Sequence, residues 1–171
     1  KTIIQCDFSQ IELRILAEIT RDKNLLLAFD SGCDIHIATA SLVYGKPTTE
    51  ITEDERNSCK AINYGIPYGI SAKGIKDNLN KLGISATLSQ ASSLRNRFLD
   101  IFSGIKDYQA SVCTAKNLTS LGGTKISTEN MKPNQCLNWP IQTSCSEVLL
   151  ASLDYLMITK DPSTKLINSI H

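Results

Sequence analysis

Apolar residues recur at helical spacing through most of this chain and only its two ends read as strands, so it must fold chiefly as packed helices. Residues 2–6 form a short β-type run. Directly after them Ile11, Ile15, Leu16 and Ile19 repeat at helical intervals behind a Ser9-x-x-Glu12 capping box. A strand is therefore expected to end at Asp7 and a helix to begin near Ser9. That leaves Asp7 at a junction where a carboxylate projects past a sheet edge, a position suited to function. Residues 165–171 read as a second strand. Two short strands are marginal alone, so they are expected to pair with each other and with strands outside this sequence, both ends continuing in a longer protein.

Between the ends, residues 22–45 are helical with a break at Ser31-Gly32, and Gly45-Lys46-Pro47 marks a loop. A second capping box, Thr52-x-x-Glu55, opens a helix whose first turn carries Glu53, Asp54 and Glu55, where the helix dipole favours acids. Pro67 has no N–H to give residue 63, and Gly65 and Gly69 flank it, so this helix must kink or finish there. Further helices are expected over 73–82, 88–102, 105–116 and 136–157, with a small hairpin in the Gly122-Gly123 stretch. No internal repeat is present. The fold class is α+β, mostly helical.

A 171-residue chain that is 42% hydrophobic carries enough apolar side chains for a real core, and its mixed charge argues against disorder. No apolar run reaches the ~18–20 residues a membrane helix needs, so no membrane partner is expected. Asp7, Glu12 and Arg14 interrupt any signal-peptide core. The six cysteines form no Cys-x-x-Cys pair and only His36 and His171 could join them, which favours free thiols in a reducing compartment over zinc. With a net charge of +1, any hold on nucleic acid must come from local clustering.

Such clustering exists. Arg56, Lys60 and Tyr64 are spaced four apart and share one helix face, two cations and a ring that would hold a polyphosphate and stack on a sugar or base. Alone, Arg-x-x-x-Lys is more often a solvated face. Here Tyr64-Gly65-x-x-Tyr68-Gly69 follows directly, its small residues letting a base pair approach the backbone. From Arg56 to Lys106 eight basic residues face two acidic ones, a patch suited to phosphates, though ordinary helix solvation gives the same count.

The octapeptide Asp7-Phe8-Ser9-Gln10-Ile11-Glu12-Leu13-Arg14 closely resembles motif A of the family A DNA polymerases, and the Arg56-to-Gly69 pattern resembles their motif B. Asp34-Ile35-His36-x-x-Thr39-Ala40 is similar to a segment between those motifs, and Asn138-x-Pro140-x-Gln142 to the family's Asn and Gln near the primer terminus. Asn168-Ser169-Ile170-His171 resembles the approach to motif C, the sequence ending one residue before the family's second catalytic Asp. Three departures stand out: Leu121-Gly122-Gly123-Thr124-Lys125 where the family usually has Gly-Arg-Arg-Arg, Asn134 in place of an Arg, and Pro67 within motif B.

The resemblance implies a fingers subdomain with palm β-strand fragments of a right-hand polymerase: residues 1–20 as palm with motif A, 21–135 as fingers with motif B, and 136–171 as palm helix and strand running into motif C. It implies template-directed addition of deoxynucleotides to a primer 3′-OH by two-metal phosphoryl transfer, with Mg²⁺ as cofactor and primer-template DNA and deoxynucleoside triphosphates as partners. Asp7 and the carbonyl of Phe8 become metal ligands. Arg56, Lys60 and His36 grip the triphosphate, Lys60 also serving the leaving pyrophosphate. Tyr64 stacks on the nucleotide, Glu12 gates against a ribose 2′-OH, and Gln10 contacts the nucleotide. Tyr68, Gly69, Asn138 and Gln142 meet the DNA, and Arg14 orders the Glu12 region. With one catalytic carboxylate of two, the chain alone is expected not to extend a primer, and a C-terminal remainder of the same polymerase is the expected partner. A cytoplasmic setting is expected, bacterial or in a phage-infected cell, with an organelle as the alternative, in replication or repair. Two alternatives are a catalytically dead nucleic-acid-binding remnant and a single-subunit RNA polymerase; Glu12 and Tyr64-Gly65 disfavour the latter, and joint retention of Asp7, Glu12, Arg56, Lys60 and Tyr64 the former.

Overall fold

The structure, a computed structural model, describes residues 2–167. Among them are eight α-helices and one two-stranded sheet: α1 (Ile11–Thr20), α2 (Lys23–Asp30), α3 (Ile35–Tyr44), a 3-10 turn (Thr48–Glu50), α4 (Glu53–Gly65), α5 (Ala72–Lys81), α6 (Leu88–Ile101), α7 (Ser103–Thr114), β1 (Asn117–Thr119), β2 (Lys125–Ser127) and α8 (Pro133–Thr159). The helices lie where the periodicity places them. The expected hairpin is antiparallel, with Leu118 opposite Ile126.

Helix starts follow local chemistry. Thr52 and Glu55 form the expected reciprocal box at α4, and Thr87 and Gln90 form another at α6. Asp22 and Asp34 cap α2 and α3 with their carboxylates, each cap worth about 1 kcal/mol. The buried Asp22 does more: Oδ1 accepts from the Leu25 N–H at 3.0 Å and Oδ2 from the Gly104 N–H at 2.9 Å, fastening α2 to the start of α7. A side chain at Gly104 would meet the Thr20 carbonyl at 2.9 Å, so only glycine allows this approach.

Helix α4 ends at Gly65 for the reason foreseen at Pro67. A turn follows in which Gly69 N–H donates to the Ile66 carbonyl at 2.9 Å and Gly69 takes φ +81. Gln109 Nε2 on α7 donates to the carbonyls of Ile66 and Pro67, at 2.5 and 3.2 Å, so the interrupted helix end is satisfied from outside. The core runs through α1, α3, α4, α6, α7 and α8, with Leu16, Ile35, Ile62, Phe98, Phe102, Ile105 and Ile141 fully buried. Phe98 and Phe102 stack at 4.7 Å between ring centroids. Helix α3 packs on α4, and α1 on α7 and α8.

Two expectations are corrected. Residues 2–8 form no strand, and neither do residues 165–167; Ile3 and Ile4 stand 81% and 80% exposed, with no partner strand among the described residues. Asn168, Ser169, Ile170 and His171 lie outside the described residues. The Ser9-x-x-Glu12 box also fails to form. Gln10, not Ser9, occupies the N-cap position of α1, at φ 55 with no side-chain cap, so Glu12 falls at the second helical position, out of register for the box.

Candidate functional site

Helix α4 carries Arg56, Lys60 and Tyr64 at four-residue steps on one side, while Ser58, Cys59, Ile62 and Asn63 turn inward. Tyr64 is 37% exposed, and Lys60 is exposed with no ion pair among the described residues. Arg56 is held: Nη2 meets Asp34 Oδ2 at 2.7 Å, Nε reaches the same oxygen at 3.3 Å, and Nη1 lies 3.5 Å from Glu53. Asp34 Oδ1 meanwhile caps α3 through the N–H groups of His36 at 2.8 Å and Ile37 at 3.1 Å. One carboxylate thus joins the first turn of α3 to the guanidinium on α4. Partial burial works to raise the Asp34 carboxyl, but the Arg56 hydrogen bond and the two backbone N–H groups outweigh it and hold it below its ordinary range.

His36, on the first turn of α3, is buried beside the same strip. Its ring lies 5.7 Å from that of Tyr64, and its Nδ1 lies 3.0 Å from Asn63 Nδ2. Burial lowers the imidazole pKa, with the charges of Arg56 and Lys60 adding to it and Asp34 opposing, so the ring stays neutral near pH 7.

A second link closes the site from α1. The Tyr68 hydroxyl donates to Glu12 Oε2 at 2.9 Å. Burial first and the Glu12 charge second push the Tyr68 phenol well above its ordinary pKa, and the same two causes raise Tyr64. Arg14 packs beside the start of α1: Nε donates to the Ser9 carbonyl at 3.0 Å and the guanidinium sits 4.7 Å above the Phe29 ring.

The structure therefore brings together Arg56 and His36 through Asp34, and His36 with Tyr64, with Lys60 on the same face of α4; Tyr68 and Glu12 form a separate hydrogen-bonded pair. Asp7 and Phe8 lie exposed in the segment before α1 and make no side-chain hydrogen bond to this group among the described residues. Gln10 is half-buried at the α1 N-cap. Gly69 is exposed in the turn after α4, where an added Cβ would meet Leu137 Cδ1 at 3.0 Å; Asn138 and Gln142 follow on α8, four residues apart on one side. Within the basic patch two arginines are committed elsewhere: Arg95 donates to the Ile70 carbonyl at 3.3 Å and Arg97 to the Val43 carbonyl at 2.9 Å.

Sequence reasoning missed Asn63 and Gln109. Asn63 had a signal, a polar residue on the inward face of an amphipathic helix; Gln109 had none. For a cation, the carboxylate of Asp7 and the carbonyl of Phe8 are hard oxygens of the right kind, but no group of three His, Cys, Asp or Glu capable of holding a metal occurs among the described residues. No described helix is long and apolar enough to cross a membrane.

The family model for DNA polymerase family A matches residues 1–171. The chain is 40% identical over 182 residues to DNA polymerase I of Aquifex aeolicus, covering 99% of this chain and 31% of that protein. It is 35% identical to DNA polymerase I of Bacillus subtilis, covering 86% of this chain and 18% of the relative. Among solved structures, the POL domain of Pol1 from M. smegmatis, in complex with DNA primer-template and dNTP, superposes with a TM-score of 0.77 at 29% identity, covering 93% of this chain and 30% of that one. The chain thus spans less than a third of the length of these relatives.

Proposed function

This chain belongs to DNA polymerase family A, and from that membership we propose that it is the fingers with flanking palm segments of a template-directed DNA polymerase, residues 1–20 and 136–171 being palm and 21–135 fingers. The observation that carries the proposal is the linked strip on α3 and α4, where Arg56, Lys60, His36 and Tyr64 offer two cations, a neutral ring donor and an aromatic face along one side. A triphosphate would take the guanidinium and ammonium, and the nucleoside would stack on Tyr64. Glu12, tethered by Tyr68, would stand where a ribose 2′-OH would come, and Gln10 would face the nucleotide. Tyr68, Gly69, Asn138 and Gln142 would line the path of primer and template.

Asp7 and the Phe8 carbonyl are the donors this chain would offer a magnesium ion, whose chemistry there is to neutralise phosphate charge and favour attack by the primer hydroxyl. They are too few for a site alone, so the two-metal reaction of the intact enzyme needs ligands from elsewhere in the polymerase. The exposed apolar residues of α8, among them Leu150, Tyr155, Leu156 and Ile158, support a further polymerase segment packing there.

The test is a titration of the 171-residue chain with a deoxynucleoside triphosphate, followed by NMR, alongside primer extension with Mg²⁺. Shifts at Arg56, Lys60, His36 and Tyr64, joined by Gln10 and Glu12, without extension, are expected. No shift at millimolar nucleotide would overturn the assignment of the strip, and robust extension would overturn the expectation that the chain is inactive alone.

A further inference from the structure

Asn63 lies on the inward side of α4 and is 2% exposed, and His36 is 3% exposed. The amide nitrogen of Asn63 faces two atoms at once, donating to Thr39 Oγ1 at 3.2 Å and lying 3.0 Å from His36 Nδ1. An amide N–H directed at Nδ1 requires a lone pair there, so the ring proton resides on Nε2. No described hydrogen bond reaches Nε2, and no buried side-chain nitrogen or oxygen among the described residues lacks a partner, so Nε2 is the ring atom that meets solvent. Were the amide reversed, its oxygen would draw the proton to Nδ1 and leave a lone pair facing outward. A lone pair would repel an anion that Arg56 and Lys60 attract; an N–H would bind it.

We propose that Asn63 is a positioning residue for the triphosphate site: it holds His36 Nδ1 as an acceptor so that a neutral Nε2–H points toward the phosphates. The inference rests on the nucleotide-binding reading above and adds the group that decides whether His36 attracts or repels the ligand. The charged and titratable groups around the ring are Asp34 before α3 and Arg56, Lys60 and Tyr64 on α4. A neutral donor suits that place, since a third cation would be repelled by the two already there.

Nitrogen-15 NMR of the histidine ring in the full 171-residue chain tests this, with His36 assigned through His36→Gln and inorganic tripolyphosphate as the probe. Wild type should show a single Nε2–H tautomer, and tripolyphosphate should move Nε2 more than Nδ1. The near-isosteric Asn63→Asp, studied at a pH where its carboxylate is ionised and can only accept, should place a proton on Nδ1 while leaving the circular dichroism of the fold unchanged. Asn63→Ala should mix the tautomers and weaken tripolyphosphate about tenfold, the effect of one hydrogen bond to a charged ligand. An Nδ1–H ring in wild type, identical ring spectra in wild type and Asn63→Asp, or tripolyphosphate bound without movement of Nε2 would each overturn the role of Asn63 and leave the nucleotide-binding reading standing. Absence of any tripolyphosphate binding would instead strike at that reading, whatever the tautomer.

Discussion

The hydroxyl of Tyr68 donates to the carboxylate of Glu12 at 2.9 Å, tying the turn that follows α4 to the first turn of α1. A capping box between Ser9 and Glu12 does not form because α1 begins at Ile11 with Gln10 as its N-cap, which puts Glu12 at the second helical position and not the third. Gln10, left without a box behind it, adopts φ 55 to start the helix.

Tyr68→Phe removes this hydrogen bond and little else. Urea unfolding of the variant should show a loss of about 1.5–3 kcal/mol, as for a bond to a charged group. A midpoint equal to that of wild type would mean the pair contributes nothing.

Asp34 sets a dependence on pH. Its folded-state pKa is depressed, so its stabilisation is fully present above the unfolded carboxyl value, about 4, and is lost as pH falls through the lower folded value. Asp34→Asn should therefore unfold more easily than wild type near pH 6, and the gap should narrow below pH ~4. Thermal melts across that range check it; a gap that widens on acidification would contradict the linkage.

Replacing Asp22 with Ala strips the cap from α2 and leaves the Gly104 N–H without its acceptor. The expected cost is about 2–3 kcal/mol, the sum of a lost cap and an unsatisfied amide. Hydrogen exchange should quicken at both Leu25 and Gly104, and protection retained at Gly104 would argue for a substitute acceptor.

Tyr64 brings a hydroxyl to the face on which a nucleotide sugar would stack, where it could replace the contact of a 3′-OH. A polymerase carrying this segment should accept dideoxynucleotides nearly as well as deoxynucleotides, and Tyr64→Phe should restore discrimination. Competition in primer extension reads the ratio directly. Strong exclusion of the dideoxy form by wild type, unchanged in the variant, would refute it.

Much of the helical order was legible because its signals are local: Thr52 with Glu55, the break at Ser31-Gly32, and Pro67 between two glycines all act within a few residues. The shared face of Arg56, Lys60 and Tyr64 follows from helix geometry alone. What was not legible depended on partners distant in sequence. Glu12 bonds Tyr68, 56 residues away, and Arg95 and Arg97, counted in the basic patch, donate to the carbonyls of Ile70 and Val43. Residues 2–6 have strand composition, but a strand is a relationship between two chains of backbone, and none lies beside them among the described residues.

Asp34 serves two masters with its two oxygens, and they need not be served equally. A polyanion that lures the guanidinium of Arg56 away would leave one oxygen idle and the other still clasping the amides of His36 and Ile37. Ligand arrival would then release Oδ2 alone, and the Oδ1 cap would keep the start of α3 and the His36 perch in place whether or not the neighbouring arginine is occupied.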